Sequence, residues 1–174
     1  MLETGRLILE PFRAEDVNLL HRIFTDPYVR KFLWDDEIIE FSETQNFIEG
    51  NEKYFRECRW GLWKIIQRKS SRVIGLAGLW PFFEEPQPQL IYGLFPEFTG
   101  MGYATEASKE VIDFAFNLLG FTYIMASMDE GHLASRKVME RLGMDLVSIN
   151  LEYGRPTHFY RLKRYSSNTV SNLN

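Results

Sequence analysis

The sequence has few of the features that mark secreted, metal-binding or membrane proteins. It contains one cysteine, Cys58, in 174 residues, so a single chain forms no internal disulfide and no cysteine-based zinc site, which favours a reducing compartment. It has no run of about 18 apolar residues, the length that a membrane helix requires. Charged residues also interrupt the first segment, where a signal peptide would be apolar. We therefore expect a cytoplasmic protein without membrane contact.

The sequence also lacks an excess of positive charge. Its 24 acidic and 20 basic residues give a formal net charge of −4, whereas proteins that grip a nucleic-acid backbone are usually basic. We expect no nucleic-acid partner. With 45% apolar and 25% charged residues, the length fits one domain, which we place at residues 1–164. The polar stretch 165–174 has no apolar periodicity, and we expect it to be a disordered tail.

Apolar periodicity predicts strands that alternate with helices. Ser42 and Gln45 fit a capping box at the start of the third helix, and Gly120 fits the C-terminal end of the fourth. The order of elements implies a mixed sheet with helices on both faces. Strands are predicted near 5–11, 60–67, 72–80, 89–95, 121–128, 144–152 and 157–164, and helices near 14–25, 28–33, 42–57, 103–119 and 133–142.

Two glycines, Gly100 and Gly102, stand where the strand at 89–95 gives way to a helix. Free backbone N–H groups and the positive end of the helix dipole meet there and favour an anion. Glycine lacks the Cβ that would keep a phosphate away from these amides. A tight turn without any ligand would give the same pattern. Thr105 replaces the third glycine of a dinucleotide fingerprint, and no Gly-Lys-Ser/Thr follows, so both common phosphate loops are excluded.

The segment from Pro96 to Ala107, PEFTGMGYATEA, closely resembles the acetyl-coenzyme A pyrophosphate loop of the GNAT superfamily of N-acetyltransferases. The resemblance is nearest to the RimJ/RimL-like branch, which contains the ribosomal-protein N-terminal acetyltransferases. Other segments resemble this branch in matching order: Thr4–Leu9 with Asp16, Asp26–Val29, Trp60–Leu62, Val73–Leu76 and Ser135–Met144.

The resemblance implies both a fold and an activity. The fold would be α/β (α+β), with a mixed, mostly antiparallel sheet of about seven strands that is splayed at the acetyl-coenzyme A site. The activity would be transfer of an acetyl group from acetyl-coenzyme A to a primary amine, by direct attack in a ternary complex. It implies no metal.

The resemblance also implies which residues form the site. A main-chain N–H near Leu94 and Phe95, left unpaired where the strands part, would polarise the thioester carbonyl. Ser135 stands where the branch has a serine that donates to the leaving thiolate, although it could equally be an ordinary residue of a first helical turn. The implied coenzyme contacts are Leu94, Phe95, Gly100, Met101, Gly102, Tyr103, Ala104, Thr105, His132, Ser135 and Lys137.

Three positions depart from the pattern of the superfamily: Glu97 replaces Gln or Arg, His132 replaces Asn, and Gln89 replaces a frequent glutamate. Because the loop acts through backbone amides, we expect coenzyme binding to survive the change to Glu97, with some weakening by repulsion. Gln89 puts the usual general base in doubt. Glu152 is the leading candidate base, with a solvated charge at a strand end as the alternative, and His132 and His158 are weaker candidates. These departures leave a non-catalytic coenzyme A-binding sensor as an alternative function.

The identity of the acceptor amine is the feature of the reaction that the sequence determines least. An α-amine, with a pKa of about 7.7–8.0, needs less help from a base than a lysine-type amine near 10.4. The segment 34–43 is acidic and contains large apolar residues. Its carboxylates, together with Glu84 and Glu85, would concentrate a cationic acceptor. The alternative is an ordinary charged surface. We expect a protein N-terminus or a small cationic amine as acceptor, and the aromatic content leaves room for a homodimer.

Overall fold

The computed structural model describes residues 1–83 and 86–164, so the predicted tail at 165–174 lies outside the described residues. The strands are β1 (Leu2–Glu3), β2 (Leu7–Pro11), β3 (Leu62–Gln67), β4 (Arg72–Trp80), β5 (Gln89–Leu94), β6 (Tyr123–Asp129), β7 (Asp145–Glu152) and β8 (Arg155–Lys163). The helices are α1 (Val17–Thr25), α2 (Pro27–Leu33), α3 (Phe41–Cys58), α4 (Tyr103–Asn117) and α5 (Leu133–Arg141). Within these ranges no helix combines the length and apolarity of a membrane span.

The strands form two antiparallel sheets. Strands β1 to β5 follow one another in a five-stranded sheet, and β8 lies between β6 and β7 in a three-stranded sheet. At the junction β5 and β6 lie side by side, but in the described part of the chain no ladder of hydrogen bonds joins them. The predicted mixed α/β fold with a splayed, mostly antiparallel sheet is thereby confirmed. The structure adds the short β1, which pairs with β2, to the expected strands.

Helices cover both faces of the five-stranded sheet, as predicted. On one face α4 packs through Val111 against a core that includes Trp63. On the other face α1 and α3 pack through Phe24 and Ile48 against a core that includes Leu62. Because successive side chains of a strand point to opposite faces, the neighbours Leu62 and Trp63 belong to different cores.

Helix α3 begins earlier than the sequence pattern predicts. The predicted capping box of Ser42 and Gln45 is wrong, because the N–H of Glu40 donates to Glu43 Oε2 at 3.0 Å and Glu40 is the N-cap residue. Phe41 packs edge-on against His21, with ring centroids 5.1 Å apart. This aromatic contact to α1 fixes the first turn of α3 one residue before Ser42.

Candidate functional site

A cavity of about 670 Å³ opens where β5 and β6 part. Its volume is in the range that holds a small-molecule ligand. It contains parts of α2, β5, the glycine loop, α4, β6, α5 and the turn between β7 and β8. Among the predicted site residues, Phe95 and Met101 do not line it, and those that do are Leu94, Gly100, Gly102, Tyr103, Ala104, Thr105, His132, Ser135, Lys137 and Glu152.

Strand β5 has free backbone N–H groups where the two sheets part. The Phe95 N–H donates to the Ile74 carbonyl of β4 at 3.0 Å. Since hydrogen-bonded positions alternate along an antiparallel ladder, the N–H groups of Tyr92 and Leu94 point away from β4, towards β6. No strand ladder takes them up among the described residues. Of the two residues near which we expect a free donor, Leu94 has an N–H that points away from β4, whereas the Phe95 N–H completes the β4–β5 pairing.

The glycine loop leads directly into α4. Gly100 and Gly102 have φ values of 72° and 82°, a left-handed conformation that strains residues with a Cβ. Gly102 is the N-cap of α4 and supplies no side-chain cap, so the N–H groups of the first turn have no partners inside the helix. Thr105 lines the cavity, and its hydroxyl is buried and without a hydrogen-bond partner in the described part of the protein. These donors fit a diphosphate.

Charged groups around the loop also favour an anion. Lys137 and Arg141 line the cavity from α5. The carboxylate of Glu97 lies 3.3 Å from Arg72 Nη2, and Glu97 is not among the residues that line the cavity. The expected repulsion from Glu97 is not supported, because its charge faces an arginine outside the site.

Ser135 forms a buried pair with Tyr92. The Ser135 side chain is 6% exposed, and its Oγ lies 2.7 Å from the Tyr92 hydroxyl, which is also 3.2 Å from the Ser135 carbonyl. Burial raises the pKa of Tyr92 to about 12, so the phenol keeps its proton at neutral pH. When Tyr92 donates this proton to the Ser135 oxygens, the serine hydroxyl is free to donate into the cavity. Tyr92 was missed because its place in an apolar strand indicates only core packing.

His132 is a packing residue at the rim of the cavity. Its ring stacks on Phe32, with centroids 3.6 Å apart and planes 2° from parallel. Burial, helped by the nearby charge of Lys31, lowers the pKa of His132 to about 4. A neutral imidazole of such low pKa is a poor proton acceptor near pH 7, so this environment does not favour His132 as the base. His158 does not line the cavity.

Carboxylates on elements other than the glycine loop also line the cavity. Glu152 lines it at the end of β7, and Asp129 lines it at the end of β6. Asp35, which follows α2, lies 2.6 Å from Arg155 Nη1, and the same nitrogen lies 3.8 Å from Asp129. Burial and then the charge of Asp35 raise the pKa of Asp129, against the opposing effect of Arg155. No sequence motif marks Asp129, whose neighbours come from other elements.

Only part of the predicted acidic loop reaches the cavity. Asp35 lines it, but Asp36 turns away and pairs with Arg30 at 3.0 Å. Glu84 and Glu85 lie outside the described residues. The cavity wall beside the carboxylates is aromatic, formed by Tyr28, Phe32, Phe82, Phe83 and Tyr153.

Gln89, at the position where the superfamily often has a glutamate, is separated from the cavity. The residue is 1% exposed, and it does not line the cavity. It pairs with Trp80 across β4 and β5, and its amide atoms have no hydrogen-bond partner among residues 1–83 and 86–164. A carboxylate at this position would therefore be buried outside the cavity.

Comparisons with known proteins point to one family. Residues 6–145 match the acetyltransferase (GNAT) domain family. The chain is 26% identical over 168 residues to the uncharacterized protein YkkB of Bacillus subtilis, covering 95% of this chain and 96% of YkkB. It is 23% identical over 154 residues to the uncharacterized N-acetyltransferase YoaA of Bacillus subtilis, covering 88% of this chain and 87% of YoaA.

Solved structures have the same fold. An acetyltransferase from Agrobacterium tumefaciens superposes with a TM-score of 0.81 at 21% identity, covering 94% of both chains. RimL, a ribosomal alpha-N-protein acetyltransferase solved in complex with coenzyme A, superposes with a TM-score of 0.78 at 17% identity, covering 92% of this chain and 95% of RimL.

Proposed function

Because the chain belongs to the GNAT acetyltransferase family, we propose that it transfers an acetyl group from acetyl-coenzyme A to a primary amine by direct attack in a ternary complex. The observation that supports this most is the shared cavity of about 670 Å³, in which the glycine loop, the parted edge of β5 and the Ser135 hydroxyl all face one space. Acetyl-coenzyme A supplies an activated acyl group. The chain supplies the contacts that would hold the coenzyme, polarise the thioester carbonyl and stabilise the leaving sulfur.

The loop end of the cavity would hold the coenzyme. The amides of Gly100 and Gly102 and the first-turn N–H groups of α4 provide donors for the diphosphate. The Thr105 hydroxyl, buried without a partner in the described residues, provides one more. Lys137 and Arg141 add positive charge from α5.

Two groups would act on the thioester. The free N–H groups of Tyr92 and Leu94 lie where they can donate to the carbonyl oxygen as negative charge develops on it. The Ser135 hydroxyl, whose oxygen lies 2.7 Å from the Tyr92 hydroxyl, would donate to the sulfur as the carbon–sulfur bond breaks. The new carbon–nitrogen bond forms as the amine loses its proton to a carboxylate of the chain.

We propose Glu152 as the carboxylate that accepts this proton. It lines the cavity at the end of β7, and its carboxylate makes no ion pair among the described residues. Asp129 lines the same end, but Asp35 and Arg155 surround its carboxylate. In this proposal Asp129 and Asp35 attract the cationic acceptor instead.

The acceptor in this proposal is a protein N-terminus or a small cationic amine. Carboxylates and an aromatic wall at one end of the cavity suit an ammonium group on an apolar body. The printed name of RimL, a ribosomal alpha-N-protein acetyltransferase, makes an α-amine the first acceptor to test. We further propose a cytoplasmic protein that forms a homodimer; β7, at a sheet edge, carries exposed apolar residues such as Leu151.

A thiol-release assay with saturating acetyl-coenzyme A tests the proposed function. N-terminal peptides, polyamines and aminoglycosides serve as acceptors, with a reaction lacking acceptor as the background. We expect release of coenzyme A with at least one acceptor class. The substitution Ser135→Ala should lower kcat by about 100-fold without weakening coenzyme binding, because it removes a donor that acts mainly on the leaving sulfur.

Gly102→Glu should abolish coenzyme binding, because it adds both a strained Cβ and a negative charge to the loop. Gly120→Glu is the matched control, since Gly120 also has a positive φ of 75° but lies beyond the other end of α4. Thermal stabilisation by coenzyme A without thiol release across the whole acceptor panel would instead support the non-catalytic sensor.

A further inference from the structure

Arg6 connects the start of the chain to the glycine loop. Its Nη1 donates to the Met101 carbonyl at 3.0 Å. Its guanidinium also lies over the Tyr103 ring, with the central carbon 4.4 Å from the centroid. On its other side Nε donates to Glu106 Oε2 at 2.6 Å. One guanidinium therefore contacts Met101 in the glycine loop and both Tyr103 and Glu106 at the start of α4. These residues lie roughly 100 positions later in the chain.

Glu106 is fixed by several donors at once. Its Oε1 accepts hydrogen bonds from the Thr4 hydroxyl at 2.5 Å and from the Arg6 backbone N–H at 3.0 Å. The Thr4 oxygen in turn accepts from the Leu7 N–H at 3.0 Å, which anchors it at the start of β2. Burial acts to raise the pKa of the Glu106 carboxyl, but the hydrogen bonds from Thr4 and Arg6 prevail and lower it. Glu106 is thus an ionised partner for the guanidinium.

The contact to the Met101 carbonyl has a consequence for the direction of the next amide. The Met101 side chain is 53% exposed, so packing does little to hold the loop between the two glycines. In a trans peptide the C=O and the following N–H point in opposite directions. Holding the Met101 carbonyl on the side of Arg6 therefore turns the Gly102 N–H to the opposite side of the loop.

The same contacts offset the negative charge of Glu106 at the start of α4. A carboxylate in the first helical turn is favourable for the helix dipole, but an unpaired Glu106 would repel a diphosphate bound at that helix end. Nε and Nη2 of Arg6 both contact Oε2 of Glu106, and this ion pair offsets the charge. Half of the Arg6 side chain remains exposed, at 50%, and its Nη2 lies 3.5 Å from where a Cβ on Gly102 would be.

From these contacts we propose that Arg6 is a positioning residue for the diphosphate half of coenzyme A. It holds the Met101 carbonyl, so that the loop amides are oriented before the coenzyme binds. It also pairs with the Glu106 carboxylate, so that the negative charge at the start of α4 is balanced. The proposal rests on the proposed function of the cavity as a coenzyme A site. It makes Arg6 a determinant of coenzyme affinity and not of the chemical step.

Two ligands that share the pantetheine arm separate this role from a general structural one. Coenzyme A contains the diphosphate, and S-acetylpantetheine lacks it. For Arg6→Ala we expect the calorimetric Kd of coenzyme A to rise by roughly 10- to 50-fold, in line with the loss of charge-assisted hydrogen bonds. The value of kcat/KM for S-acetylpantetheine should stay within about twofold of wild type, because that substrate does not reach the loop.

Further variants refine the test. Arg6→Lys keeps the charge but lacks the planar fork that reaches Met101 and Glu106 together, so it should restore only part of the affinity. Glu106→Gln should weaken coenzyme A binding less than Arg6→Ala, and it provides a second variant if Arg6→Ala folds poorly. Arg56→Ala is the control, because Arg56 is an exposed arginine paired only with Glu57; it should leave the Kd unchanged.

Amide hydrogen exchange of the ligand-free protein gives an independent measurement. In Arg6→Ala the amides of residues 100–105 should exchange faster than in wild type, while those of β3 and β4 should not change. An unchanged Kd for coenzyme A in Arg6→Ala, or an equal loss with S-acetylpantetheine, would overturn the proposal. If the wild-type protein itself fails to bind coenzyme A, the proposed function fails as well.

Discussion

At the scale of single residues, the environment decides what a side chain can do. Ser135 and His132 stand three positions apart in one coenzyme motif, yet the first shares a hydrogen bond with Tyr92 and the second is stacked on Phe32. The motif predicted both positions at the site, and both line the cavity. It could not predict that burial would keep His132 neutral, because that depends on an aromatic residue from α2.

The low pKa of His132, about 4, predicts a pH effect on stability. Between pH 6.5 and pH 4 the unfolded chain binds a proton that the folded chain does not, so the free energy of unfolding falls as the pH falls through this range. His132→Phe keeps a ring against Phe32 and lacks the titrating group. Urea denaturation at several pH values should show the variant gaining stability relative to wild type below pH 6.5.

The His132→Phe variant and the wild type have the same carboxylates. The contribution of the carboxylates to acid unfolding therefore cancels when the two unfolding free energies are compared. A difference in unfolding free energy that stays constant from pH 7 to pH 4.5 would contradict the assigned pKa. It would then follow that His132 is as accessible to protons in the folded chain as in the unfolded one.

At the scale of secondary structure, the sequence patterns were local and the predictions held to within a few residues. Strand β4 has the predicted bounds of 72–80, because apolar β-prone residues fill it and a polar turn precedes it. Helix ends were less well predicted. At α3 two overlapping patterns competed, and Glu40 with Glu43 makes the cap in place of Ser42 with Gln45.

The observed cap of α3 makes a prediction about stability. Glu43→Ala removes the carboxylate that accepts from the Glu40 N–H at 3.0 Å, and it should lower the free energy of unfolding by about 1 kcal/mol. Gln45→Ala is the matched control and should change it by less than about 0.5 kcal/mol. Urea unfolding at neutral pH measures both; a larger loss for Gln45→Ala would show that the Ser42–Gln45 pattern governs the helix start.

At the scale of the whole molecule, the site depends on how separate elements meet. The parting of β5 from β6 opens the cavity, and the residues that line it beside the carboxylates come from α2, the ends of β6 and β7, and the start of β8. Arg155 illustrates this, because it bridges Asp35 and Asp129 from distant parts of the chain. Such a cluster has no signature in any one segment of the sequence.

The roles of the two carboxylates can be separated by their effects on kcat/KM and on the KM of the acceptor. Glu152→Gln should lower kcat/KM by about 100-fold, because it removes the proton acceptor. Its effect should be greater for a lysine-type amine than for an α-amine, whose lower pKa leaves more of it neutral. Asp129→Asn should mainly raise the KM of cationic acceptors, since it removes charge beside Asp35 and Arg155.

Steady-state kinetics with an α-amine and a lysine-type amine measure these effects, and Glu49→Gln on the exposed side of α3 serves as the control for a lost surface charge. If Asp129→Asn lowers kcat/KM by about 100-fold and Glu152→Gln leaves it unchanged, the base is Asp129.

The sequence by itself determined the order of the elements, the helices on both faces of the sheet and the place of the glycine loop. Each of these follows from local properties, namely periodicity, turn residues and the backbone freedom of Gly100 and Gly102. Only the tertiary structure decided that Phe95 completes a ladder, that Tyr92 meets Ser135 and that Arg6 holds Glu106. The last two are hydrogen bonds between residues 43 and 100 positions apart, and such partners are selected by packing of whole elements.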